Sequence, residues 1–208
     1  MKNPQDPFDM PFEAFIMQQI ATKVKENLHL QGVYRGVYNA AGTTPIATMD
    51  GFLTLIAAAI TATDIAPVVT GAVTADNVID KAELVYDSLG EGYKNVPTQM
   101  IVSPTIFDWY GRKYRSLYNG SPLYTGIKKD RVTLDGTMCE LVKEPGLGTS
   151  QRMICSPREN FVMGVDTIGD YNLDVQKFNR SIKILIDLKA GVNFKEIHAR
   201  ALAVNDQA

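Results

Sequence analysis

Two strand-like runs that each stop at Ser-Pro constrain this chain more than any other feature. They are QMIVSP, Gln99 to Pro104, and RMICSP, Arg152 to Pro157. Proline lacks a backbone donor and holds φ near −65°, so a central strand ends where it stands. The two runs lead into different structures. After the first comes TIFDWYGRKYRSLY, in which Ile106, Phe107, Tyr110, Tyr114 and Leu117 recur at helical spacing. After the second comes RENFVMGVDT, then a long alternating segment that runs almost to the C-terminus. One strand feeds a helix and the other feeds more strand. The chain reads as an α+β fold.

The remaining elements come from periodicity and punctuation. Pro4, Pro7 and Pro11 make residues 1–11 an extended leader. Phe12, Phe15, Ile16, Ile20, Val24 and Leu28 share one helical face, and that stripe is assigned to the core rather than to an interface. A second helix is expected over Met49 to Thr61, with Thr48 as its N-cap, and a third from Thr74 or Asp76 to Gly90. Ser103 suits the cap of the helix after QMIV, with Pro104 at its first position. Asp135-Gly136 between β-like runs predicts a hairpin, and EPGLGTSQ a flexible loop. Tyr171, Leu173 and Val175, then Ile182, Ile184 and Ile186, alternate with polar residues as half-buried strands do, about a turn at Asn179–Ser181. A last strand is expected over Ile197 to Val204.

Composition narrows function. The chain has 208 residues, 45% of them hydrophobic, enough to bury a full core. Its formal net charge of −2 lacks the basic excess of a phosphate-gripping protein. No apolar run is long enough to span a bilayer, the longest being FLTLIAAAI at Phe52 to Ile60. Cys139 and Cys155 read as buried, reduced thiols. His29 and His198 are distant in sequence and the cysteines lack a CxxC spacing, so neither metal nor cofactor is expected. GLGTSQ lacks the third glycine of a dinucleotide loop, and there is no GxSxG, SxxK or HExxH. The sequence points away from an enzyme.

One local bias resembles a contact patch: Arg112, Lys113, Arg115, Lys128, Lys129 and Arg131, interleaved with Tyr110, Tyr114, Tyr118 and Tyr124. Cations beside aromatic platforms hold single-stranded nucleic acid by charge and stacking. The same residues also suit an ordinary helix, with tyrosines packed inward and cations on its wet face. A third reading pairs the cations with acids of a neighbouring copy, such as Glu83, Asp87 or Glu91.

The order of these segments resembles the tailed-bacteriophage major capsid proteins. Phe12 to Leu28 looks like their spine helix. MDGFLTLIAAAI and TADNVIDKAELVYDSL look like axial-domain helices, and VPTQMIVSPTIFDWYGRKY like that domain's strand-helix step. RMICSPRENFVMGVDT and GVNFKEIHARALAV look like the return into the peripheral sheet. The resemblance implies a Hong Kong 97-type fold: a spine helix, a peripheral β-sheet and a mixed helix/strand axial domain. Residues 12–45 and 150–208 would be the peripheral part and 46–149 the axial part. Most of the family's N-terminal arm and extended loop would be lacking.

Function would then lie in contacts among copies, arranged as hexamers and pentamers. Scaffold or other virion proteins would be further partners. Packaged DNA would be enclosed rather than specifically bound, and no membrane would be involved. The chain would be made in a bacterial host's cytoplasm and end in the virion. Two other readings stand beside this one: an encapsulin-like compartment shell, and a small nucleic-acid-binding protein using residues 110–131.

Overall fold

The computed structural model describes the backbone of residues 12–118, 131–165, 172–178, 181–187 and 189–207, and the side chains of all of these except 12–14, 118, 172–178 and 181–187. In chain order, α1 (Phe12–Asn27) runs through a π turn (Leu28–Gly32) into α2 (Val33–Arg35). Then come α3 (Phe52–Thr61), α4 (Val78–Asp87), α5 (Glu91–Lys94), β1 (Thr98–Val102) and α6 (Pro104–Tyr118). Beyond α6 the chain is mostly strand: β2 (Arg131–Thr133), β3 (Cys139–Lys143), β4 (Ile154–Pro157), β5 (Phe161–Val165), β6 (Asn172–Phe178), β7 (Ser181–Asp187) and β8 (Ala190–Phe194). The short β9 (Ala203–Val204) comes last. The predicted leader and the turn before Ser181 lie outside the described residues.

The centre is a mixed five-stranded sheet in the order β2-β3-β1-β4-β9. β1 pairs parallel to β3 and antiparallel to β4, with Met100 opposite Leu141 on one side and Cys155 on the other. Successive residues of a strand point to opposite faces. Met100, Val102, Leu141, Cys155 and Ala203 therefore pack with α4 and α6 on one face. Ile101, Ile154, Leu202 and Val204 pack on the other with α3, Leu147 and Phe194. A sheet covered on both faces favours apolar residues at successive positions, which is why MIV and MIC read as unbroken hydrophobic runs.

β5 and β8 form a separate two-stranded ladder with Phe161 opposite Phe194. Both rings lie about Phe52 of α3, whose centroid is 5.4 Å from one and 4.9 Å from the other. β6 and β7 pair as an antiparallel ribbon from Asn172↔Asp187 to Phe178↔Ser181.

Local signals were overruled at several points. Thr48 does not cap α3. Its hydroxyl donates to the Pro45 carbonyl, and Gly51 stands at the N-cap. α4 starts at Val78, later than Thr74 or Asp76 allow, because the Asn77 side chain ties back to Thr74 and Ala72. Pro104 does open α6, but Ser103 Oγ is buried with no hydrogen-bond partner among the described residues. EPGLGTSQ is no loose loop. It forms a 3-10 turn that buries Leu147. The expected strand over Ile197 to Val204 shrinks to β9, since the amides of Ala201 and Leu202 both donate to the His198 carbonyl in a turn.

Candidate assembly surfaces

α6 comes after β1 without a break, and its register decides the fate of the basic, tyrosine-rich segment. Ile106, Phe107, Tyr110 and Tyr114 face the sheet and are buried. The rings of Tyr110 and Tyr114 stack with centroids 6.2 Å apart, and the Tyr114 hydroxyl donates to Asp135 Oδ2 at 2.7 Å. These two tyrosines are core residues and offer no open face to a base. The cations take the rim. Arg112 and Arg115 are exposed, and Arg115 Nε donates to the Gly111 carbonyl at 3.3 Å. Lys113 reaches Asp76 at 3.4 Å. Arg131 lies on the edge strand β2 and is held by Glu140 of β3 at 3.2 Å. Lys128, Lys129 and Tyr124 lie outside the described residues, as does the side chain of Tyr118.

Sequence reading missed Lys143. It closes an ion pair with Asp108 of α6 at 3.1 Å, and its ammonium lies 5.7 Å from the Phe107 ring centroid. The two partners are 35 residues apart in sequence, so no spacing rule marks them. Their meeting depends on α6 crossing β3.

α4 presents the opposite charge. Val78, Ala82, Val85 and Tyr86 are buried, which turns Asp80, Glu83 and Asp87 outward around an exposed Leu84.

α1 departs most from expectation. Of its positions from Phe15 onward, none is buried. Phe15 is 41% exposed, and Ile16, Ile20 and Val24 are only half-buried. Over Phe15 to Val24 the stripe assigned to the core is at most half-buried, and only at Leu28 does it pack against a core cluster. What anchors the helix is its root. Tyr34 of α2 is buried with its ring 5.6 Å from Phe52. Its hydroxyl pKa is pushed well above the ordinary value, first by burial and then by the neighbouring Glu144 carboxylate. Glu144 Oε1 also accepts from the Gly146 amide at 2.9 Å and lies 3.5 Å from His29 Nε2. Gly51 lets the start of α3 press on this root. A Cβ there would stand 2.6 Å from the Tyr34 carbonyl oxygen and 2.7 Å from that of Gly32.

A groove of about 580 Å³ runs between the α5–β1 connection and the segments after β4 and β8, lined by Tyr93, Val96, Pro97, Arg158 and Lys195 among others. Tyr93, Asn160 and Glu196 in its wall are engaged by the chain itself. Tyr93 donates to Glu196 Oε2 at 2.6 Å, and this bond raises the phenol's pKa. Buried Asn160 donates to Ser156 Oγ and the Glu196 carbonyl and accepts from the Glu196 amide. The two cysteines are both buried, with sulfurs 4.0 Å apart. Donation to the Cys139 sulfur, then burial, pushes the Cys155 thiol well up, which leaves it a packing group rather than a nucleophile.

No family model and no curated protein sequence matches this chain. Solved structures do. A chain of the satellite phage P4 procapsid that includes the size determination (Sid) protein superposes with a TM-score of 0.54 at 12% identity, over 94% of this chain and 63% of that one. A chain of the capsid of an empty GTA particle superposes with a TM-score of 0.50 at 11% identity, over 97% of this chain and 67% of that one. This chain has the mixed helix-and-strand fold of phage capsid proteins. It spans less than two thirds of the length of the P4 procapsid chain.

Proposed function

We propose that this chain is a structural subunit of a viral, prophage-type icosahedral shell that assembles from copies of itself and encloses DNA. The observation that carries the reading, on a capsid fold, is α1. Most of a helix's stability in a protein comes from packing its apolar face rather than from propensity. This one leaves Phe15, Ile16, Ile20 and Val24 without full cover inside the chain. An apolar stripe of that kind on a shell fold is what a neighbouring copy would bury.

The shell would be of the Hong Kong 97 type. Residues 12–45 and 150–208 would act as the peripheral part and 46–149 as the axial part, although β4 and β9 hydrogen-bond into the same sheet as β1. Copies would gather as hexamers and pentamers, with scaffold or other virion proteins as further partners. The chain would be made in the host cytoplasm and reside in the virion, with no catalytic role.

Sedimentation velocity with negative-stain microscopy of the purified chain, across concentration, tests the reading. Rings or closed shells are expected. A monodisperse monomer at every concentration overturns it.

A further inference from the structure

α4 and α6 cover the same face of the central sheet, but over different strands. α6 lies against β3 and α4 against β9. These strands are on opposite sides of β1, and the two helices pack side by side, α6 toward the β2 edge of the sheet and α4 toward the β9 edge. Their outer faces carry opposite charge: Asp80, Glu83 and Asp87 on α4, Arg112 and Arg115 on α6. Cations elsewhere on the α6 side are already matched in the chain, Lys113 by Asp76, Arg131 by Glu140 and Lys143 by Asp108. Among the described residues, Arg112, Asp80, Glu83 and Asp87 have no ion-pair partner. Arg115 engages Gly111 through its Nε.

The acids are not explained by their own helix. Asp80 lies in the first turn of α4, where the helix dipole favours it, but Asp87 lies in the last turn, where the dipole opposes a negative charge. Lys94 is near enough to feel Asp87, yet its ammonium sits 3.0 Å from Glu91. Leu84 and Leu117, 42% and 56% exposed, add an apolar contact to each charged face. The seam inside the chain shows the same chemistry on a small scale, where Lys113 of α6 meets Asp76 just before α4.

We propose that these faces are the two halves of one head-to-tail contact between copies, the α4 carboxylates of one subunit seating on Arg112 and Arg115 of the next. A contact that joins two different faces of one subunit is heterologous, and it closes into a ring when the rotation between copies allows. Charge sets the partner and its registry, while the flanking leucines exclude water. The inference rests on the proposed shell function and assigns it one of its subunit contacts.

Charge reversal tests it. One variant carries Arg112→Glu with Arg115→Glu, the other Glu83→Lys with Asp87→Lys. All four positions are exposed, so both chains should melt as the parent does. Each variant alone then has two like-charged faces, and the concentration for half-assembly should rise at least about tenfold, since like charges placed together cost several kcal/mol. Mixed in equal amounts, the two variants should assemble again as alternating copies.

Assembly of either variant alone at the parental concentration, with the parent forming rings or shells, overturns the contact and leaves the shell reading standing. Loss in both variants without rescue on mixing also overturns it. Reversal on α6 that spares assembly but abolishes salt-dependent retention on immobilised DNA overturns it in favour of a phosphate contact. A parent that stays monomeric throughout overturns the shell reading and this contact with it.

Discussion

α1 and α3 are two apolar helices in one chain with opposite fates. α3 buries Phe52, Ile56 and Ala59 between the central sheet and the β5–β8 ladder. α1 carries Phe15, Ile16, Ile20 and Val24 at equally regular spacing and buries none of them. Periodicity reports which face of a helix is apolar. It does not report whether the partner for that face belongs to the same chain. The α3 stripe stabilises the subunit, and in our reading the α1 stripe stabilises what subunits build.

The largest expected effect lies on the α3 side. Ile56 is fully buried, and Ile56→Ala should cost about 3–4 kcal/mol of unfolding free energy through lost transfer and a residual cavity. Denaturant titration of the dissociated chain measures it, and a cost below about 1 kcal/mol would mean that α3 is not held as described. Next comes the root of α1. Gly51→Ala drives a methyl group into the backbone of Tyr34 and Gly32 and should cost about 1–3 kcal/mol by overpacking. An unchanged thermal midpoint would show that the root is not pressed against α3.

A smaller effect, confined to acid, concerns the clasp that closes β9. Bonds from Gln207, then from the Thr70 hydroxyl and the Thr70 and Gly71 amides, hold the Asp206 carboxyl well below the usual carboxylate range. A depressed folded pKa contributes stability that is complete above the unfolded value near 4 and is lost as pH falls below it. The parent should therefore lose more thermal stability between pH 6 and pH 3 than Asp206→Asn does. Parallel losses would show that the clasp does not titrate with this residue.

The smallest effect on the isolated subunit is the most telling for the comparison. Ile20→Ala in α1 should shift monomer stability by no more than about 0.5 kcal/mol, as a substitution outside the core does. It should still raise the concentration needed for assembly. If it destabilises the monomer as Ile56→Ala does, the contrast between the helices fails.

Much of the architecture was legible along the chain. β1 emerged as Thr98–Val102 because the run Met100-Ile101-Val102 suits a strand covered on both faces and Pro104 ends it. The β2–β3 hairpin emerged from Asp135-Gly136, where Gly136 adopts φ 71°. The misjudged points were those where a side chain had competing choices. Thr48, Thr74 and Ser103 are all good caps by residue type, yet their roles depend on which backbone groups the fold brings near. Helical spacing already turned Tyr110 and Tyr114 inward and the α6 cations outward, but nothing along the chain announced the Lys143–Asp108 pair that ties α6 to β3.

The sequence alone determined where strands stop, which helix faces are apolar and that no strong charge excess draws the chain to phosphate, because these come from local geometry and composition. Only the tertiary structure decided that one apolar stripe is buried in the core and another is only half-buried. It alone set acidic α4 and basic α6 side by side over one face of one sheet. Both are matters of which surfaces meet, and that is fixed by the order and direction of strands joined through hydrogen bonds between residues far apart in the chain.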